Sequence, residues 1–332
     1  MQIISLEILI FFIDIVLLYV YLKVSHHFHW FDKPGEIRKL HVEAKPTSAG
    51  LIFMLPLLLV LFTIPNNEVF NSYQIGIALL VLMLLGGIDD FKPLSVKTRL
   101  IVISLCSYWL LYETYIEINF FILLIYLLGT IWWLNLYNFM DGIDGMVNLH
   151  AILTTIAYIF AYTIFGNIQL ESIPLMLVFL ACLLAFLIYN FPTSKMFMGD
   201  SGSLSVAFML AVFALYGISK NIFDEIVVIS FHLVFIIDTT LTLFVRMKYK
   251  HKLSEAHNLH FFQTLVMNGY SHVSVTIYYA ITTLLLISIA LYLQSLQVNM
   301  LSRLLVLVIE MSILAFIWLK YHDKTKFERF IK

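Results

Sequence analysis

"LLGGIDDFKPLSVKTR", residues 84–99, closes an apolar run with two adjacent carboxylates, Asp89 and Asp90. Side by side at the end of such a run, two acids repel each other unless a cation or a proton lies between them. The run decides the fold class; the acids raise the question of chemistry. The whole chain is built the same way: 332 residues, 61% hydrophobic and 12% charged, with a mean hydropathy of +0.93. Soluble domains carry about 45–50% apolar and about 25% charged residues, and no soluble core could hide this surplus. The chain therefore reads as an integral membrane protein. Its net charge of −1 says little, because in a membrane protein the placement of charge matters more than the sum.

A helix crossing the hydrocarbon layer needs about 20 mostly apolar residues. Eleven such stretches centre near residues 14, 56, 80, 105, 128, 155, 181, 210, 235, 283 and 309. Continuous apolar runs, rather than weak alternation, point to a helical bundle and away from a β-barrel. The first run, about residues 3–24, has no basic residue ahead of it and contains Glu7 and Asp14. It reads as the first transmembrane helix, since a signal peptide starts basic and has a shorter core. Cys106 and Cys182 lie inside apolar runs, which argues against a disulfide framework or a cysteine metal site.

With eleven spans, the loops after odd-numbered spans and the C-terminus share one side, and they hold 18 of the 20 Lys and Arg residues. Only Lys220 and Arg303 fall elsewhere, and the opposite loops carry Glu68, Glu113, Glu117, Glu171, Asp224 and Glu225. By the positive-inside bias the N-terminus is expected outside and the C-terminus in the cytoplasm. The expectation is an all-α polytopic bundle, a single membrane domain over 1–332. Its cytoplasmic loops fall near 25–47, 89–98, 139–144, 192–202 and 247–272.

Every unusual polar cluster maps to that same face. Asp89 and Asp90 end the third span. "NLYNFMDGIDGM", residues 135–146, joins the fifth and sixth; "KMFMGDSGS", 195–203, the seventh and eighth; "EAHNLHFFQTLVMNGYSH", 255–272, the ninth and tenth. Asn135, Asn138 and Asp141, spaced by three, share a helix sector, and Gly142 and Gly145 favour a break that puts Asp144 on a turn. Hard divalent cations take oxygen ligands from a few carboxylates and amides, completed by phosphates and water; Asn138, Asp141 and Asp200 suit that need. The small residues around Asp200 let backbone N–H groups approach an anion, and Phe197 offers a ring to a nucleobase. His257, His260 and His272, with Arg246 ahead of them, can grip phosphate or sugar hydroxyls or move a proton.

Each cluster alone has a plainer reading: a helix end in the headgroup zone, an Asn/Gly turn, an N-cap, a solvated loop. All four on one face is what the plainer readings do not explain. Asp238, inside the ninth span, needs a partner, and Arg246, two turns on, serves only if the bundle bends them together. Asp14 and Glu310 also lie within spans, without sequence neighbours that suggest a task.

These segments, with "RKLHVEAKPTSAG" before the second span, "FIIDTTLTLFVR" and "AHNLHFFQTL", carry a resemblance over nearly the whole chain. The chain resembles the polytopic polyprenyl-phosphate N-acetylhexosamine-1-phosphate transferases, of the glycosyltransferase family 4 type, which start O-antigen, enterobacterial common antigen and peptidoglycan lipid intermediates. The resemblance implies transfer of a sugar 1-phosphate from a UDP-N-acetylhexosamine, UDP-GlcNAc or a 6-deoxy relative, to undecaprenyl phosphate with release of UMP. It implies Mg²⁺, with Mn²⁺ as a substitute. It implies a multi-pass protein of the bacterial inner membrane with its active site on the cytoplasmic face, surrounded by membrane lipids and without nucleic acid; a homodimer is one candidate assembly. Residue by residue it implies Asp89 and Asp90, with Asp141, as catalytic; Asp200 and Asn138 as metal ligands; Asp144 and Phe197 lining a uridine pocket; Arg99 near the diphosphate; and His257 and His260 on the nucleotide sugar. Two departures are visible. "HNLHFF" lacks the denser His-x-His-His run and is closer to an "HRDHLYQ" form, and Ala49 stands where many members have glycine. The alternative is a polytopic transporter or ion exchanger, which should hold its ionisable residues near the bilayer midplane on broken helices, often in repeats.

Overall fold

The computed structural model describes residues 5–28, 30–32, 44–63, 71–114, 119–166, 172–252 and 257–321. Parts of the expected loops 25–47 and 247–272 lie outside these residues, as do Lys33, Arg38, Lys39, Glu68, Glu117, Glu171 and the basic tail from Lys324. The described chain is helical: α1 (Leu6–Phe28), α2 (Gly50–Phe53), α3 (Leu55–Thr63), α4 (Ser72–Phe91), α5 (Val96–Thr114), α6 (Phe120–Met140), α7 (Met146–Phe165), α8 (Ser172–Asn190), α9 (Gly199–Ser219), α10 (Glu225–Lys248), α11 (Phe261–Met267), α12 (His272–Ser295) and α13 (Met300–Tyr321). One short antiparallel pairing joins β1 (Phe31–Asp32) to β2 (Lys45–Pro46), with Phe31 opposite Pro46.

Each of the eleven sequence centres falls in a helix. Among the described residues nine helices are long and apolar enough to cross a membrane: α1, α4, α6, α7, α8, α9, α10, α12 and α13. The other two sequence spans are α5, which is less apolar, and the pair α2–α3, which the sequence predicts as one helix. Pro56 explains the division. It has no N–H to give the preceding turn, so it is accommodated in the first turn of a new helix, α3.

The ends of several helices are set by ordinary caps. The Asn71 side chain accepts from the Gln74 amide before α4, and Asp224 from the Val227 amide before α10. α9 is buried along almost its whole length, with α2, α4, α5, α6 and α7 against it. Its run of Ser, Gly and Ala lets those neighbours come close, as small residues do in membrane bundles. At Gly86 of α4 an added Cβ would stand 2.3 Å from the Ser201 nitrogen, so only glycine permits this crossing. That contact brings the end of α4 to the start of α9, and the functional residues meet there. α1 and α13 present apolar side chains outward. Cys106 and Cys182 are both free and buried.

Candidate active site

The two acids of the opening stretch hold different things. Asp89 accepts the Leu94 amide at 2.5 Å, closing the turn into α5, and its Oδ2 lies 2.8 Å from Arg99 Nη1. Asp90 turns to α9 instead. Its Oδ1 accepts the Asp200 amide at 2.7 Å; its Oδ2 accepts the Ser48 hydroxyl at 2.7 Å, the Ser201 hydroxyl at 3.1 Å and the Ser201 amide at 3.4 Å. A helix start leaves amides unpaired, and here a carboxylate from another helix satisfies them. Gly199 at φ +69° makes room: a Cβ there would meet Asp90 Oδ2 at 2.4 Å.

Arg99 is the hub. Besides Asp89, its guanidinium reaches Asp200 Oδ2 at 3.4 Å and donates to Asn138 Oδ1 at 2.9 Å. The Asn138 amide group donates to Ser203 of α9 at 3.1 Å. Asp141 follows the last turn of α6, and burial, together with the negative charges of Asp200 and Asp90, pushes its carboxyl well above the usual carboxylate range. Two acids therefore face the one arginine directly, with Asp90 and Asp141 beside Asp200. Among the described residues no three His, Cys, Asp or Glu side chains form a ready metal cage. Mg²⁺ needs none, because it is commonly held by one or two protein oxygens plus phosphates. The excess negative charge and the oxygens of Asp200 and Asn138, both now facing the Arg99 cation, fit a hard cation.

A second group lies beside the first. Asp144 sits on the turn before α7, as the glycines suggested, with Gly145 at φ +73°. It accepts the Ser194 amide at 3.1 Å and stands 3.5 Å from His272 Nδ1 and 4.0 Å from Lys45 Nζ. Burial alone would raise its carboxyl. The hydrogen bonds from His272 and Ser194 and the Lys45 charge outweigh that and hold it below its ordinary value. Lys45 also lies 5.4 Å over the Phe197 ring. The Phe197 backbone is fixed by bonds to Pro46 and Ala49 at 2.8 and 3.1 Å. Ala49 itself is helical, φ −59°, a conformation that alanine adopts without strain, so the departure from glycine costs nothing there.

The histidine segment forms α11, seven residues within the stretch 247–272 that the sequence predicts to be a loop. Its N-terminus rests on Asp238 of α10, which accepts the Phe261 and Phe262 amides at 2.7 and 3.3 Å and the Tyr279 hydroxyl at 2.7 Å. His260 Nδ1 lies 3.7 Å from the same carboxylate. Asp238 thus has partners, and Arg246 is not needed as one; its Nη2 donates to the Lys252 carbonyl at 2.6 Å. The Phe262 ring lies against Gly142, and His260 stacks on Phe139 at 6.2 Å. The segment therefore covers the Asp141–Asp144 turn. The His257 ring is 4.8 Å from that of His260. Burial, then the nearby His260 and Arg246, pulls its pKa down to about 2.

All ten residues singled out from sequence gather at one end of the bundle. They form an Arg99 group (Asp89, Asp90, Asn138, Asp141, Asp200), a Lys45 group (Asp144, Phe197) and the histidine segment. Sequence reading gave no role to Lys45, Ser48, Ser203 or Phe139. Lys45 lay in a stretch quoted for resemblance, but its partner ring is 152 positions away and no local pattern links them.

Fold and site define a polytopic helical membrane protein with an acidic, arginine-centred cluster at one end. The Glycosyl transferase family 4 model matches residues 72–218, the segment from α4 to α9. The chain is 28% identical over 318 residues to the probable undecaprenyl-phosphate N-acetylglucosaminyl 1-phosphate transferase of Bacillus subtilis (strain 168), covering 91% of this chain and 88% of that one. It is 28% identical over 219 residues to the phospho-N-acetylmuramoyl-pentapeptide-transferase of Streptococcus pneumoniae serotype 19F (strain G54), covering 59% of this chain and 65% of that one. The segment from α4 to α9 is thus similar to Glycosyl transferase family 4, and most of the chain to the Bacillus subtilis protein.

Proposed function

We propose that the protein transfers a sugar 1-phosphate from a UDP-N-acetylhexosamine to undecaprenyl phosphate and so begins a lipid-linked surface glycan, such as O-antigen or a cell-wall polysaccharide. The observation that carries the reading is the convergence of Asp89 of α4, Asn138 of α6 and Asp200 of α9 on Arg99, in a chain similar to transferases of this kind. The reading includes eleven spans, the N-terminus outside, and the Arg99 cluster on the cytoplasmic face of the bacterial inner membrane, where the nucleotide sugar is made available. A transporter would hold its acids at mid-membrane; here they cluster at helix ends.

In this reaction a lipid phosphate oxygen attacks the β-phosphorus of the donor. The bond from that phosphorus to the bridging oxygen breaks, and UMP leaves with the electron pair. The second pKa of a phosphate monoester is about 6, so the nucleophile arrives largely ionised and needs little from a base. Asp89, tied to Arg99, is therefore an orienting group more than a proton acceptor. Arg99 offers two guanidinium nitrogens to the diphosphate oxygens, a fork geometry suited to phosphate. Asp144, Lys45 and Phe197 present a carboxylate, an ammonium and a ring to the uridine. His257, kept neutral by its surroundings, gives hydrogen bonds rather than charge, and His260 is aimed by Asp238. Asp200 and Asn138 would hold Mg²⁺, which when bound neutralises the diphosphate charge.

Asp200→Asn tests the reading. It should abolish Mg²⁺-dependent turnover while the protein still inserts and folds. Near-normal activity of this variant under limiting Mg²⁺ would remove the metal assignment.

A further inference from the structure

A polar cluster lies inside the bundle, away from the Arg99 group. His232 of α10 and His150 of α7 meet at 3.1 Å, His150 Nε2 to His232 Nδ1. Tyr137 of α6 bonds His232 Nδ1 at 2.7 Å, Tyr158 of α7 bonds His232 Nε2 at 3.0 Å, and Thr283 of α12 bonds His150 Nδ1 at 3.0 Å. All five side chains are at most 2% exposed. Imidazoles within a membrane span are costly and are retained for a purpose. Every ring nitrogen here is used, and a neutral ring offers one donor and one acceptor. Either tautomer of His232 therefore gives Tyr158 one role and the Tyr137–His150 side the other.

What these bonds join is specific. Tyr137 immediately precedes Asn138 and lies one turn before Asp141. Trp133, one turn earlier, donates to the Ala207 carbonyl of α9 at 2.9 Å and sets its ring edge-on to His232, centroids 4.2 Å apart. On α10, His232 lies less than two turns before Asp238, which holds α11 and His260. On α12, Thr283 lies one turn after Tyr279, which donates to Asp238. Helices bearing the metal-ligand candidates and the histidine segment are thus locked together through one pair of rings.

We propose that the His150–His232 pair, with Tyr137, Tyr158 and Thr283, is a positioning element. It sets α6 against α10 and holds Asn138 and Asp141 in register with the α11 segment. The inference rests on the transferase reading for its kinetic consequence, but not for its structural one. Misplacing a reacting group by about 1 Å can cost roughly 10²-fold in rate, whereas a single hydrogen bond between membrane helices contributes little to stability.

The test uses the full-length protein in detergent as Tyr137→Phe, His232→Leu and His232→Gln. Asp224→Asn, which removes the 2.6 Å ion pair to Arg303 at the other end of the bundle, is the control. Hydrogen–deuterium exchange over residues 138–145 and 257–263 is read beside transfer kinetics. Tyr137→Phe and His232→Leu should speed exchange in both segments and lower kcat by about 10- to 100-fold, more than they change KM for the donor. His232→Gln, which keeps a donor and an acceptor, should recover part of the loss, and Asp224→Asn should match wild type. Unchanged exchange in both segments with wild-type kcat would overturn the proposal; if His232→Leu fails to fold, Tyr137→Phe decides alone. A folded wild-type protein with no transfer activity would instead overturn the functional reading, and the exchange result would still decide this one.

Discussion

Asp90 closes the first turn of α9: its Oδ1 accepts the Asp200 amide at 2.7 Å across 110 positions of sequence. Its neighbour Asp89 points the other way, to Arg99 at 2.8 Å. The pair therefore divides its work, one acid building the site and the other facing it.

That division predicts different losses for the two asparagine variants. Asp90→Asn puts an amide donor against donors already aimed at both oxygens, and should destabilise the protein by about 2–3 kcal/mol, the scale of a charge-assisted bond left unmade. Asp89→Asn should keep more of the thermal midpoint in detergent but lower transfer by about 100-fold, a loss on the scale of misplaced reacting groups. Thermal unfolding and initial rates on both variants check this, and equal midpoints with equal rates would contradict it.

Arg99 touches Asp89, Asp200 and Asn138 with two nitrogens. A lysine ammonium keeps the charge but not the fork, so Arg99→Lys should restore little: kcat is expected to fall by about 10- to 100-fold. Steady-state kinetics at saturating Mg²⁺ measures it. Wild-type kcat would mean that only the charge matters.

Phe197 lies under Lys45 at 5.4 Å. If uridine stacks there, Phe197→Leu should weaken UMP binding by about 1–2 kcal/mol, roughly 5- to 30-fold, while leaving kcat near wild type. Inhibition by UMP reads this directly, and unchanged inhibition would place the base elsewhere.

Much of this was legible in the sequence, for identifiable reasons. A membrane span announces itself by length and apolarity, so the centre of each span fell in a helix. The acids fell together because each cluster follows an odd-numbered span and successive spans alternate in direction. What was not legible depends on contacts between distant segments. Nothing near Lys45 points to Phe197, nothing near Asp238 points to the Phe261 amide, and FFQTLVM is too short and apolar to read as a helix without Asp238 beneath it. The same limit applies to Asp90, whose role as a cap exists only once α4 and α9 cross at Gly86.

The depressed pKa of His257, about 2, has a pH signature. A histidine held neutral in the folded state contributes stability that is full above its unfolded value of about 6.5 and is lost as pH falls below it. Asp144, held below its ordinary 3.8, stays ionised over that range and adds no slope there. Wild-type protein should therefore lose more thermal stability between pH 7 and pH 5 than His257→Gln, about pH values that bracket the free imidazole. Parallel curves for the two proteins would contradict the burial of a neutral ring.

The most direct test of the central claim is transfer by the purified protein in detergent with undecaprenyl phosphate, Mg²⁺ and a panel of UDP-sugars, following UMP and the lipid product together. UMP release that requires the lipid and is matched by a diphosphate-linked sugar on it is the expected result. Folded protein that binds UDP-sugar yet yields neither product with any donor of the panel would contradict it.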